Sequence, residues 1–256
     1  MAESFSSVHG LTAESIVLAL VIATACPMVE AQSPPAPITS SGLNTKVSLP
    51  NSLPGNVTQF DITGGTRAGT NLFHSFGNFN VPNNNIANFL NDAGLATTNI
   101  LGRVTAGNAS NIFGSIQTTG FGSANLFLMN PAGFLFGPTA TVNVGGMVTF
   151  TTADYLKLTD GARFNAVPDA AADALLSAAP VAAFGFLGSS PGAITVQGSH
   201  FAVAPGKEIA LVGGNITVER PLIGMDGDEV VSIRRVSSSS FASNLLSTDF
   251  LIGCGS

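Results

Sequence analysis

The sequence predicts an all-β chain organised as a solenoid of stacked parallel strands. Short apolar runs recur from Ile100: Ile100-Leu101, Val104, Ile112-Phe113, Ile116, Leu126–Met129, Phe134–Phe136, Val142–Val144 and Val148–Phe150. Each is too short for a helix and suits a strand, and the stretches between them hold Gly, Asn, Pro, Ser or Thr. Gly192-Ala193-Ile194-Thr195-Val196 returns 22 positions on as Gly214-Asn215-Ile216-Thr217-Val218, with Phe201-Ala202-Val203 and Ile209-Ala210-Leu211 between. Three strands per repeat is the pattern of a solenoid. No long amphipathic helix separates the runs, which argues against βαβ units.

Composition agrees. Of 256 residues 45% are hydrophobic and only 9% charged, whereas a disordered chain would be more charged and less apolar. The net charge of −6, with nine scattered Lys and Arg, excludes a nucleic-acid binder, which needs clustered cations.

Taken in order, Ile16 to Ala25 is an apolar run too short to span a bilayer. Val29-Glu30-Ala31 places small residues at −3 and −1 of a cleavage site, so residues 1–31 read as a secretory signal peptide. A buried apolar segment and a lipoprotein box at Ala23-Thr24-Ala25-Cys26 are the alternatives. Signal removal deletes Glu3, Glu14 and Glu30 and leaves a mature charge of −3. Of the two cysteines, Cys26 and Cys254, the first leaves with the signal, and the mature chain then has no internal disulfide.

Residues 32–54, rich in Pro and Ser, read as a linker. Val57–Thr63 is a first strand. Gly64–Gly69 is a glycine-rich loop that lacks the Lys-Ser/Thr and helix of a phosphate cradle. Asn71–Val81 suits two short strands kinked at Gly77. Residues 82–99 are dense in Asn, which serves turns and can ladder along parallel strands. Asn130-Pro131-Ala132-Gly133 reads as a tight turn between two strands, Leu126–Met129 and Phe134–Phe136, each with both faces covered. Residues 165–192 break the period, with a short helix over Pro168–Leu176 closed by Pro180. After Val218 the repeat fades into an irregular tail, 221–256.

Three ordered segments carry a family resemblance. Gly64-Gly65 with Asn71-Leu72-Phe73-His74-Ser75-Phe76 and Phe79-Val81 is the first. Asn99–Val104 with Ile112–Ile116 is the second. Ala124–Gly137 is the third. Together they resemble the filamentous haemagglutinin N-terminal domain, the secretion domain of two-partner secretion exoproteins. The resemblance implies a right-handed parallel β-helix over 55–220, with a β-rich N-terminal cap in residues 57–81. It implies a chain secreted across the outer membrane of a Gram-negative bacterium to the cell surface or beyond. It implies a partner, an outer-membrane β-barrel transporter of the TpsB type, whose POTRA domains meet the extended chain. Asn130, Pro131, Ala132 and Gly133 are the candidate recognition motif, and Asn71 to Phe76 the cap motif. The family's Asn-Pro-Asn-Gly has Ala132 in place of its second Asn, and its Asn-Pro-Asn-Leu motif has no counterpart before Ile100.

No catalytic, cofactor or metal residues are assigned. His74 and His200 lack a third ligand at metal spacing. Asp154 and Asp160 could serve as the acid and base of a carbohydrate-active β-helix lyase or hydrolase, which is the alternative function. A surface adhesin binding host or neighbour-cell ligands is a third reading.

Overall fold

The computed structural model describes residues 36–219, 230–235 and 249–252. The signal region, Cys26 and Cys254 lie outside them.

The chain opens with three short strands, β1 (Ile38–Gly42), β2 (Thr45–Val47) and β3 (Asn51–Leu53), followed by β4 (Val57–Gly64), β5 (Thr66–Ala68) and β6 (Asn71–Phe79). Then come β7 (Asn85–Leu90), β8 (Asn99–Val104) and β9 (Ser110–Ile112), and after them β10 (Ser115–Thr119), β11 (Asn125–Met129) and β12 (Phe134–Phe136). β13 (Thr141–Val144) and β14 (Val148–Thr151) lead into an excursion made of β15 (Tyr155–Leu158), β16 (Arg163–Asn165), α1 (Ala170–Asp173) and β17 (Val181–Gly185). The series resumes with β18 (Ile194–Gln197), β19 (His200–Val203), β20 (Glu208–Gly213) and β21 (Ile216–Glu219), and ends with β22 (Val230–Arg235) and β23 (Asp249–Ile252).

The fold is thus almost all β, and its main pairings are parallel. A long sheet runs β1-β6-β8-β11-β14-β20-β22-β23, with β5 on β6. A second runs β19-β13-β10-β7-β4-β2, with β3 on β4, and a third runs β21-β18-β12-β9. The chain visits second, long and third sheet in the same order each round: β7-β8-β9, β10-β11-β12, β13-β14-β18, β19-β20-β21.

Register follows the pleat. In the long sheet Leu72, Ile100, Leu126, Val148 and Ile209 fall in one row. In the second, Phe60, Ala87, Ile116, Val142 and Phe201 align. In the third, Ile112, Phe136, Val196 and Val218 do. These rows meet in one core. The Ile194 and Ile216 repeats lie directly opposite each other, as their sequence spacing predicts. A slip of one residue would turn a whole row outward, so the apolar rows lock the register.

The long sheet has a second covered face. Phe73, Leu101 and Phe127 form its outward row and pack with Met129, Leu156, Leu158 and Phe164 in a separate core. The cover is the excursion, whose β16-β15-β17 order makes a small antiparallel sheet. Leu126–Met129 is therefore covered on both faces, as its unbroken apolar run predicts.

Asparagines form a ladder beside this cover. Asn99 Nδ2 donates to Asn71 Oδ1 at 2.9 Å, Asn125 Nδ2 donates to Asn99 Oδ1 at 2.9 Å, and the Met147 amide donates to Asn125 Oδ1 at 3.0 Å. Asn71 Nδ2 ends the ladder on the Ser177 and Ala179 carbonyls.

Five expectations need correction. Residues 38–53 are not a linker, because β1, β2 and β3 pair antiparallel with β6 and β4 and cover their edges. The cap accordingly lies in these strands and β5, while β4 and β6 already belong to the parallel sheets. Asn71–Phe79 is one strand: its irregularity falls in the register shifts against β1 and does not divide it at Gly77. The excursion starts at Tyr155 and is mostly β. Its helix spans only four residues, N-capped by the Asp169 carboxylate on the Ala171 and Ala172 amides. The described residues of the 221–256 tail are not irregular: they form β22 and β23, which extend the long sheet.

Replacing Asn99 by Ala strands the Asn71 acceptor and an Asn125 donor in a buried ladder. Denaturant unfolding should show a loss of about 2–3 kcal/mol. Asn143→Ala, at an exposed position, should stay within about 0.5 kcal/mol of the parent chain.

Candidate functional site

The turn 130–133 follows from local chemistry. β11 ends at Met129, and Asn130 folds its side chain back so that Oδ1 accepts the Ala132 amide at 3.0 Å. The Gly133 amide donates to the Asn130 carbonyl at 3.0 Å, closing the turn. Gly133 sits at φ +112°, a conformation side chains rarely adopt, and a Cβ there would lie 2.5 Å from the Ala193 carbonyl oxygen.

This turn is wedged between neighbouring rounds. Asn130 is 1% exposed. Its Nδ2 donates to the Asn108 carbonyl at 3.0 Å and to Ser110 Oγ at 2.9 Å. On the other side the Gly192 amide donates to the Pro131 carbonyl at 3.1 Å, and the Phe134 amide to the Ala193 carbonyl at 2.9 Å. Pro131 and Ala132 remain half-buried.

The cap motif alternates with the pleat of β6. Leu72 and Phe76 belong to the inner core. Between them, His74 shares their side of the strand. Asn71, Phe73 and Ser75 face the excursion: Phe73 meets Phe164 edge-on at 5.2 Å, and Ser75 Oγ accepts the Arg103 Nε proton at 2.9 Å. All six residues are buried. The two motifs lie apart, since Asn71 aligns through Asn99 with Asn125 at the start of β11 and Asn130 follows its end.

His74 lies between Phe76 and Phe89, with ring centroids at 6.0 and 5.7 Å. Thr45 Oγ1 accepts the Ser75 amide at 2.9 Å and shares a hydrogen bond with His74 Nδ1 at 3.3 Å. Burial, aided by the Arg67 charge and opposed by Asp92, lowers the His74 pKa to about 4. His200 lies on β19 in the second sheet, opposite Thr141, so the two histidines are in different sheets. Among the described residues no group of three His, Cys, Asp or Glu could hold a metal.

Asp154 and Asp160 are both engaged by backbone amides, one distant in sequence and one local. Asp154 accepts the Leu187 amide, and exposed Asp160 accepts the Ala162 amide at 3.1 Å. Hydrogen bonds from Ser177 and Ala162 lower the Asp160 pKa, the wrong direction for a general acid at neutral pH.

Arg103, within the Asn99–Val104 segment, has a structural role that its sequence position alone does not assign. It is 2% exposed on the outer face of β8. NH1 and NH2 grip Asp173 at 2.8 and 2.7 Å, and NH1 also donates to the Asn165 carbonyl at 3.1 Å. Its guanidinium lies 5.2 Å from the Phe164 ring centroid. The signal was a lone charge inside an apolar strand, which demands a partner. The partner, 70 residues on, carries no mark in the sequence.

The family model of the TPS secretion domain matches residues 38–248, most of the chain and both motifs. The chain belongs to the TPS secretion domain family. Membership makes this secretion domain part of a two-partner secretion exoprotein, exported across the outer membrane with a TpsB transporter as partner. The match begins at the first residue of β1, which joins the antiparallel N-terminal strands to the domain. No curated protein matches the chain. No helix among the described residues is long and apolar enough to cross a membrane.

Two outcomes test the site. Gly133→Ala should cost about 2 kcal/mol or more in denaturant unfolding, from strain and the blocked Ala193 carbonyl. The folded chain keeps His74 neutral down to about pH 4, while the unfolded chain protonates it near 6.5. Between these values the unfolded state binds more protons, so stability falls as pH drops from about 6.5 to about 4, by about 3 kcal/mol. Urea midpoints at pH 7 and pH 4.5 should show this loss in the parent chain and a smaller one in His74→Gln.

Proposed function

We propose that this chain is a secretion module read in extended form by the POTRA domains of its transporter, and that it then folds outside the cell as a right-handed parallel β-helix. The family match across 38–248 carries the reading. The repeated visiting order of the three parallel sheets supports the β-helix, because each round would add one strand to each face. The leader before Gln32 would supply Sec export, the mature domain would begin near Ile38, and the cell surface of a Gram-negative bacterium would be the destination. There the outer faces of the rod would act in adhesion, without catalysis.

The burial of the candidate motif bears on when it is read. In the folded chain Asn130 is committed to Asn108, Ser110 and Ala132. A transporter that recognises its side chain must meet it before the rounds stack. An extended segment can then bind by strand addition, with its free backbone edges supplying the hydrogen bonds.

The test separates recognition from folding. Chain unfolded in urea is diluted onto purified POTRA domains of the transporter. Replacing Asn130, Pro131 and Gly133 by Ala should weaken capture at least tenfold. Phe136→Ala, which damages only the folded core, should bind like the parent. Equal capture of the triple variant and the parent would overturn the recognition role.

A further inference from the structure

The excursion turns one face of its small sheet inward and leaves the other to solvent. Leu156, Leu158 and Phe164 belong to the second core. Tyr155, Lys157 and Arg163 alternate with them along β15 and β16 and therefore face outward, with Lys157 and Arg163 exposed. On the same face β17 places Ala183 beside Lys157 and Gly185 beside Tyr155. Asn165 stands opposite Tyr155 on β16.

Lys157 and Arg163 are directly opposite each other in the antiparallel ladder. Their Cβ atoms are therefore about 5 Å apart, a placement in which like charges repel. Neither has a carboxylate partner among the described residues, where the ion pair is Arg103 with Asp173. The nearest acids along the chain, Asp154 and Asp160, accept the Leu187 and Ala162 amides. Arg163 instead lays its guanidinium 4.3 Å from the Tyr155 ring centroid, and that ring rests on the Gly185 backbone. Stacking occupies the flat of the guanidinium and leaves its edge, a fork of N–H donors, for a carboxylate. Two of only nine cations in a chain of net charge −6 are thus set side by side.

We propose that this outer face binds an acidic glycan, with a uronate carboxylate seated between Lys157 and Arg163 and the adjoining sugar hydroxyls meeting the Asn165 amide and the Tyr155 hydroxyl. The chemistry of the face selects this ligand. An anionic membrane is held by a cluster of roughly four to eight cations, and a nucleic acid also needs several, so two do not suffice. An acidic peptide would use the cations and leave the two neutral polar groups idle. Ala183 and Gly185 keep the strip beside the cations low, so a sugar chain can lie along it. The negative charge elsewhere on the chain is screened beyond about 8 Å at physiological salt and leaves the local pair in control. The proposal rests on the adhesion reading and names the ligand class for it.

The folded full-length chain is titrated with a galacturonate hexamer. Binding is followed by calorimetry and by the fluorescence of Tyr155, the sole tyrosine in a chain without tryptophan. The parent should bind, more weakly as salt rises. The methyl-esterified hexamer keeps the hydroxyls and loses the carboxylates, and should bind roughly tenfold or more weakly. The acidic hexamer should lose as much on the double variant Lys157→Gln with Arg163→Gln. The denaturant midpoint of that variant should equal or exceed the parent's, because the repulsion is gone. Lys46→Gln, at an exposed position on β2, should bind like the parent. The site is overturned if the parent ignores the hexamer, if the ester binds equally, or if Lys46→Gln loses as much as the double variant. Equal binding of poly-glutamate would overturn the glycan assignment. Adhesion is scored apart, by attachment of the same folded chain to host or neighbour cells. Attachment that the double variant retains would leave adhesion standing and remove this face from it.

Discussion

A round of this chain cannot satisfy its own backbone. Its strands lie side by side with those of the rounds before and after, and their amides and carbonyls find partners only there. The parallel ladder between rounds is thus the constraint from which the rest follows. It explains the apolar rows, since a strand flanked on both sides must also bury a face, and it explains why turns are confined to a few residues. It also explains the N-terminal strands. The first parallel strands, β4 and β6, have no earlier round to lean on, and β1, β2, β3 and β5 take that place antiparallel.

The long sheet shows the same logic applied twice. Its inner row joins the common core, and its outer row would lie bare without the excursion. Covering it required chain that could leave the stack and return. The sequence does this between β14 and β18 without disturbing register: Phe134 still faces Ile194, as Ile194 faces Ile216. The polar groups trapped beneath the cover are each satisfied. Asn71, Asn99 and Asn125 serve one another, and Arg103 is held by Asp173, Asn165 and Ser75. Among the described residues Thr152 Oγ1 is the buried side-chain atom with no partner.

Much of the strand pattern could be read directly from the sequence. The runs from Ile100 to Phe150 mark β8 to β14 because short apolar stretches between turn residues suit strands, and an unbroken run such as Leu126–Met129 marks a strand covered on both faces. The repeat at 192–196 and 214–218 gave the register of β18 against β21 because equal spacing puts equal residues opposite. Pro and Ser at 32–54 misled, since edge strands tolerate residues that central strands exclude. The excursion misled similarly, as Ala and Asp around 169–174 promise a longer helix than four residues. Within the site, the turn chemistry of Asn130 and Gly133 was visible and its enclosure was not. Enclosure is set by Asn108, Ser110 and Ala193, which come from other rounds. Arg103 and Asp173 mark the limit most clearly: Arg103 signals the need for a partner, and only the fold shows that the partner is Asp173.

The break between β14 and β18 bears on how such a set of parallel sheets can be elaborated. The chain departs after one strand and re-enters at the next face, so the inserted length is free while the departure and re-entry points are not. Loop length weighs only logarithmically on closure. An insertion of different size and chemistry could accordingly leave and rejoin the sheets at the same two points without shifting the register of β12, β18 and β21.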